Sequence, residues 1–152
     1  MKITSSGFQN NSKIPEKYTC DGENINPPLS FSDIPQNAKS LVLIMDDPDA
    51  PMGTFVHWVL FNIDSRENGI AENSSLGTEG LSTTEKKEYI GPCPPSGTHR
   101  YFFKLYALDT ALNLPSTPDK KAVEEKMQGH IIEKAELIGL YNRRQESRLQ
   151  EE

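Results

Sequence analysis

Apolar residues in this chain are gathered into short dense runs, set apart by proline, glycine and asparagine clusters of the kind that punctuate strands. The runs PLSFSDI (28–34), SLVLIMDD (40–47), TFVHWVLFNI (54–63) and HRYFFKLYALD (99–109) are rich in β-branched and aromatic residues and predict four strands. No internal repeat or low-complexity block breaks this order, so the prediction is a mainly β domain. One helix has signals at both ends: Thr117 as N-cap, Pro118 at the first helical position, Asp119 at the positive helix start and Gly129 closing DKKAVEEKMQ. The following HIIEKAELIGLYNR fits two periods. Ile131, Ala135, Leu137 and Tyr141 recur as in a strand, while Ile131, Ala135, Ile138 and Leu140 tolerate a helix.

The two-residue period also assigns faces. It groups Leu41, Leu43, Met45 and Asp47 and turns Asp46 the other way. It places His57 with Phe55, Val59 and Phe61, opposite Trp58 and Leu60, and both faces read as buried. In the last strong strand it groups His99, Tyr101 and Phe103 and sends Arg100, Phe102 and Lys104 elsewhere, Arg100 most simply into a structural ion pair.

Composition narrows the class. The 152 residues fit one domain, 1–143, followed by a polar tail, 144–152, that reads as a frayed extension. A hydrophobic fraction of 35% is low, but its concentration in runs suits a core. A net charge of −6 leaves no broad basic surface, so nucleic acid and anionic lipid surfaces are not expected partners. No apolar stretch follows the opening lysine or reaches the length of a membrane span, which predicts a soluble, cytoplasmic chain with no integral membrane segment. Cys20 and Cys93 could pair, but in that compartment two thiols is the favoured reading, and sequence does not set their distance.

Candidate chemistry sits at strand ends. In MDDPDAP, Pro48 and Pro51 stop the strand near Asp47 and gather three carboxylates at a sheet end; taken plainly, Asp49 caps a turn there and the others are solvated. In GPCPPSGTHRY, Pro94 and Pro95 stiffen the chain while Gly91 and Gly97 permit sharp bends, which suggests a preformed wall beside His99 and Tyr101 or, equally, an inert turn. His130 reads as structural, near the helix end. The stretch from Asn73 to Tyr89 reads as a long solvated loop.

DPDAP, then HW leading an apolar strand, then GPCPPSGTHRYFFKLYALD, in that order, resemble the phosphatidylethanolamine-binding protein family, also called Raf kinase inhibitor proteins, in its short bacterial and archaeal form. YTCDGENINPPLSF and GHIIEKAELIGLY extend the likeness over most of the chain. The resemblance implies a compact fold of two antiparallel sheets with a small helical element near the C-terminus, a strand at KAELIGLY, and an anion pocket at one end of the central sheet. Position by position it implies a pocket of Asp47, His57, Pro94, Pro95, His99 and Tyr101, shaped by Asp49, Pro51, Cys93 and Gly97.

Those residues suit a phosphate or phosphoethanolamine-type headgroup, which accepts hydrogen bonds from Tyr101 and the imidazoles; an amine is then expected near Asp47, or Asp47 orients His57 and favours its charged form. Family analogy adds inhibition of a kinase or a serine protease, and a possible homodimer. The rival is a hydrolase using the Asp, His, His and Tyr set with Cys93, six positions before His99. PPSG is not a serine nucleophile elbow. Tight histidine or cysteine spacing for a metal is missing, and no cofactor is expected.

Overall fold

The computed structural model describes residues 1–143, so the tail at 144–152 lies outside the described residues. In chain order the elements are β1 (Lys2–Thr4), β2 (Ser12–Lys13), a 3-10 turn (Glu16–Tyr18), β3 (Leu29–Ser32), β4 (Ser40–Asp47), β5 (Phe55–Asp64), β6 (Gly69–Ile70), β7 (Thr78–Glu79), β8 (His99–Leu108), α1 (Lys120–Met127) and β9 (Ile131–Tyr141). A small sheet in the order β1-β3-β6 faces a large one in the order β2-β9-β8-β4-β5-β7. Both are antiparallel except at one edge, where β2 runs parallel to β9.

Between the sheets lie Ile3, Phe31, Leu41, Leu43, Met45, Trp58, Leu60, Phe103 and Leu105. The other face of the large sheet buries Val42, Ile44, Val59, Phe61, Tyr106 and Leu108 against Val123 and Met127 of α1. Coverage on both faces explains why all eight residues of β4 are buried and why its sequence is an unbroken apolar run.

β5 departs from the expected alternation. Met45 pairs with Trp58 and Asp46 with Val56, so His57 is an extra residue with no partner on β4: a β-bulge. A second extra residue falls between the pairs Leu41 with Ile63 and Leu43 with Leu60, beside Asn62, whose φ of 53° is left-handed. Instead of sharing a face with His57, Val59 and Phe61 pack toward α1, while His57 and Phe55 open on the opposite side. Periodicity alone could not show this, because a bulge shifts the phase of every later residue.

Other boundaries moved for local reasons. Thr117 is left-handed (φ 66°) and does not cap α1; Asp119 is the N-cap, its Oδ1 accepting from the Ala122 N–H at 2.9 Å. Gly129 (φ 80°) follows the helix, where the His130 N–H donates to the Met127 carbonyl at 2.9 Å. The ambiguous terminal segment is a strand, paired with β8 along its length. The stretch after Asn73 is not a free loop: it carries β7 and follows the edge of β5, with Gly80 donating to Val59 and Thr83 to Val56. His130 Nδ1 meets Asp109 Oδ1 at 2.8 Å on the surface.

The two cysteines are not thiols. Cys20 and Cys93, 73 positions apart, form a disulfide with Cα atoms 5.4 Å apart. The expectation of two thiols fails because pairing is decided by the distance between the two residues, which the sequence does not encode. The 3-10 turn brings Cys20 beside the proline-rich segment, where its N–H donates to the Pro92 carbonyl at 3.1 Å.

Candidate functional site

Asp47 ends β4, His57 sits on the bulge of β5, and His99 and Tyr101 begin β8, so three neighbouring strands bring these side chains to one end of the large sheet. They line a cavity of about 300 Å³ together with Pro51, Met52, Phe55, Cys93, Pro94 and Pro95. Asp47, His57, Pro94, Pro95, His99 and Tyr101 are thus brought together as expected, with Pro51 and Cys93 at the wall. Asp49 and Gly97 are not in the lining: Asp49 acts from behind it, and Gly97, in a left-handed turn (φ 69°), bends the wall segment.

Asp47 is 3% exposed, and both its oxygens are engaged. Oδ1 accepts from the Asp49 N–H at 2.7 Å, and Oδ2 from His99 Nδ1 at 2.6 Å. Asp47 therefore makes the turn-capping bond expected of Asp49, and it orients His99, not His57. An amine near Asp47 would compete with both bonds. Asp49 instead grips Arg100 in a fork, Oδ1 at 2.8 Å from one guanidinium nitrogen and Oδ2 at 2.9 Å from Nε, and this holds its carboxyl down at about 2. That pair ties the DPDAP turn to the start of β8, the ion pair expected for Arg100.

His57 is held by Ile90 twice. Its backbone carbonyl accepts from the Ile90 N–H at 3.2 Å, and its Nδ1 lies 2.6 Å from the Ile90 carbonyl. A carbonyl only accepts, so Nδ1 carries the proton and the tautomer is fixed. Burial, the dominant influence, pushes the ring's pKa below its ordinary value, against the opposing pull of Asp47 and Asp46. Asp47 does favour a charged His57, as expected, but burial outweighs that pull and the net shift is downward. Tyr101 packs edge-on to His57, with ring centres 5.2 Å apart, and burial raises its phenol well above the usual range, so the hydroxyl keeps its proton.

Sequence reasoning missed Ile90, whose role is a backbone carbonyl and leaves no trace in residue type, and Phe55, whose ring lies 4.7 Å from His57. It underused Gly91. A Cβ there would lie 2.3 Å from Asn24 Oδ1 and 2.4 Å from the Tyr18 carbonyl, so only glycine lets the wall approach that segment. The disulfide fastens the same two segments two residues on. Because the Cys93 sulfur is bonded to Cys20, the thiol that a cysteine hydrolase requires is not there. Among the described residues no cluster of three or more His, Cys, Asp or Glu side chains could hold a metal ion, and no helix is long and apolar enough to cross a membrane.

Among the described residues, two packed sheets, one α-helix and a preformed cavity floored by an aspartate, two histidines and a tyrosine define a small β protein built around a polar-floored pocket. The profile of the phosphatidylethanolamine-binding protein family matches residues 4–142, and the chain belongs to that family. It is 49% identical over 150 residues to a UPF0098 protein of Methanothermobacter thermautotrophicus, covering 94% of this chain and 99% of that one. A UPF0098 protein of Aquifex aeolicus is 45% identical, with 94% and 89% covered. Among solved structures, a phosphatidylethanolamine-binding protein homolog from Chlamydia trachomatis superposes with a TM-score of 0.91 at 43% identity, covering 93% of this chain and 97% of that one. YbcL of E. coli shares the fold at 24% identity, with a TM-score of 0.86 over 94% and 98% of the two chains.

Proposed function

We propose that this chain binds a small phosphate-type anion, free or as a phosphorylated headgroup, in the cavity at the end of the large sheet. One observation carries the reading. His57 Nε2, His99 Nε2 and the Tyr101 hydroxyl have no partner among the described residues and belong to side chains that line the cavity, while the polar atoms behind them are paired. These atoms open to the cavity instead of being sealed behind it, and a few polar atoms left open among apolar walls are a place for a polar ligand. Tyr101 supplies a donor, and the flanking Phe55, Pro94 and Met52 supply apolar walls.

The test is an NMR titration with inorganic phosphate and with phosphoethanolamine, following the imidazole signals of His57 and His99, repeated on His57→Ala and Tyr101→Phe. The expected result is saturable shifts at both histidines of the natural chain, weakened at His99 in His57→Ala and at both rings in Tyr101→Phe. No response at concentrations of tens of millimolar, where even a millimolar dissociation constant would register, sinks the proposal.

A further inference from the structure

The hydrogen bonds behind the cavity fix what its histidines present to a ligand. His57 Nδ1 donates to the Ile90 carbonyl and His99 Nδ1 donates to the Asp47 carboxylate, each at 2.6 Å, and both partners are pure acceptors. In the neutral ring each Nε2 is therefore a bare lone pair. A fully deprotonated anion facing His57 would put oxygen lone pairs against a nitrogen lone pair. Building on the anion-pocket reading above, we propose that the cavity selects phosphomonoesters over phosphodiesters, because only a monoester carries a P–OH proton that His57 Nε2 can accept.

The proton balance favours the monoester. A monoester's second ionisation falls near pH 6, so close to neutrality it delivers its own proton, which then lies between a phosphate oxygen and Nε2. A diester has no such proton, and binding it in the same place requires His57 to become an imidazolium. The groups facing the ring oppose one another: Asp47 and Asp46 on β4 favour a charge there and His99 on β8 disfavours it. The neutral Tyr101 and Phe55 rings pack against it, and His57 is 4% exposed. Desolvation is the strongest of these influences and works against the charged ring. Tyr101 is then free to donate to a second phosphate oxygen, and the apolar walls face the ester group.

Calorimetric titration of the whole chain with phenyl phosphate and with its diester counterpart, methyl phenyl phosphate, tests this. At about pH 7 the monoester should bind at least about tenfold more tightly, since its second ionisation lies near 6. Its affinity should fall about tenfold per pH unit from about 7 to 8.5, because one proton enters with each ligand above its ionisation. His57→Gln, which can turn an amide N–H toward the cavity, should bring the diester within a few-fold of the monoester and flatten the pH slope; should that variant fail to fold, the slope in the natural chain still decides. A diester binding within about twofold of the monoester, or a flat pH profile, overturns the selectivity while leaving the anion pocket standing. No heat with any phosphate compound removes the pocket reading as well. Vesicles separate the sources: retention on phosphatidic acid, a lipid monoester, but not on phosphatidylethanolamine, a lipid diester, supports the proposal with a membrane source. Phenyl phosphate binding without retention on either supports it with a soluble source, and preference for phosphatidylethanolamine overturns it.

Discussion

His57 is buried to 4% exposure, clamped through Nδ1 by a backbone carbonyl, and kept by desolvation below the ordinary histidine pKa. In the unfolded chain the same ring titrates at about 6.5, so on acidification the unfolded state takes up the proton first. The stability contributed by a neutral His57 is therefore complete above about pH 6.5 and is lost as pH falls from there through the lower folded value. His57→Gln should reduce the change in urea midpoint between about pH 7 and 5 relative to the natural chain; identical slopes would mean that another group sets the acid sensitivity. Asp49 acts in a separate window. Arg100 holds its carboxyl down from 3.8 to about 2, so its contribution persists until pH falls below about 4. Nothing in the residue type at position 57 announces this behaviour, whereas Tyr101 and His99 were legible as a pair from alternation alone, because β8 runs without a bulge from His99 to Ala107.

The strands set the site through register. β8 pairs Phe102 with Asp46 and Phe103 with Met45, and His99 with Tyr141 of β9, which fixes the depth of both histidine and tyrosine relative to Asp47. On the far side of β8, Gly139 pairs with Tyr101 and lies beneath the N-terminal segment. A Cβ at Gly139 would come within 2.4 Å of Ile14 Cγ1 and 2.9 Å of Phe8 Cε2. Gly139→Ala should therefore lower stability by about 1–3 kcal/mol, the usual result of overfilling a packed site, as measured by urea unfolding. A loss under about 0.5 kcal/mol would show that Ile14 moves aside freely. The strand spans themselves were read from sequence to within a few residues, since continuous apolar runs need cover on both faces. The helix start was placed two residues early: Pro118 and Thr117 carried cap-like signals, but the left-handed turn at Thr117 leaves the cap to Asp119.

Across the whole molecule, the cavity wall depends on one covalent link between distant parts of the chain. The Cys20–Cys93 disulfide closes a loop of 73 positions, a constraint on the unfolded chain worth about 4 kcal/mol on the chain-entropy argument. Replacing both cysteines with serine should lower the unfolding free energy by about 2–4 kcal/mol, and the natural chain unfolded without reductant should take up no alkylating agent. Full alkylation under those conditions would show two thiols instead. Sequence alone determined what is local or periodic: the mainly β class, the strands β3, β4, β5 and β8, the separation of Asp47 from Asp46, and through a resemblance the family, the terminal strand and the residues gathered at the pocket. Tertiary structure decided the rest. It paired the cysteines, gave Asp47 to His99 and Ile90 to His57, and turned His57 onto the cavity through a bulge, because each of these depends on distances between segments far apart in the chain, which no local pattern encodes.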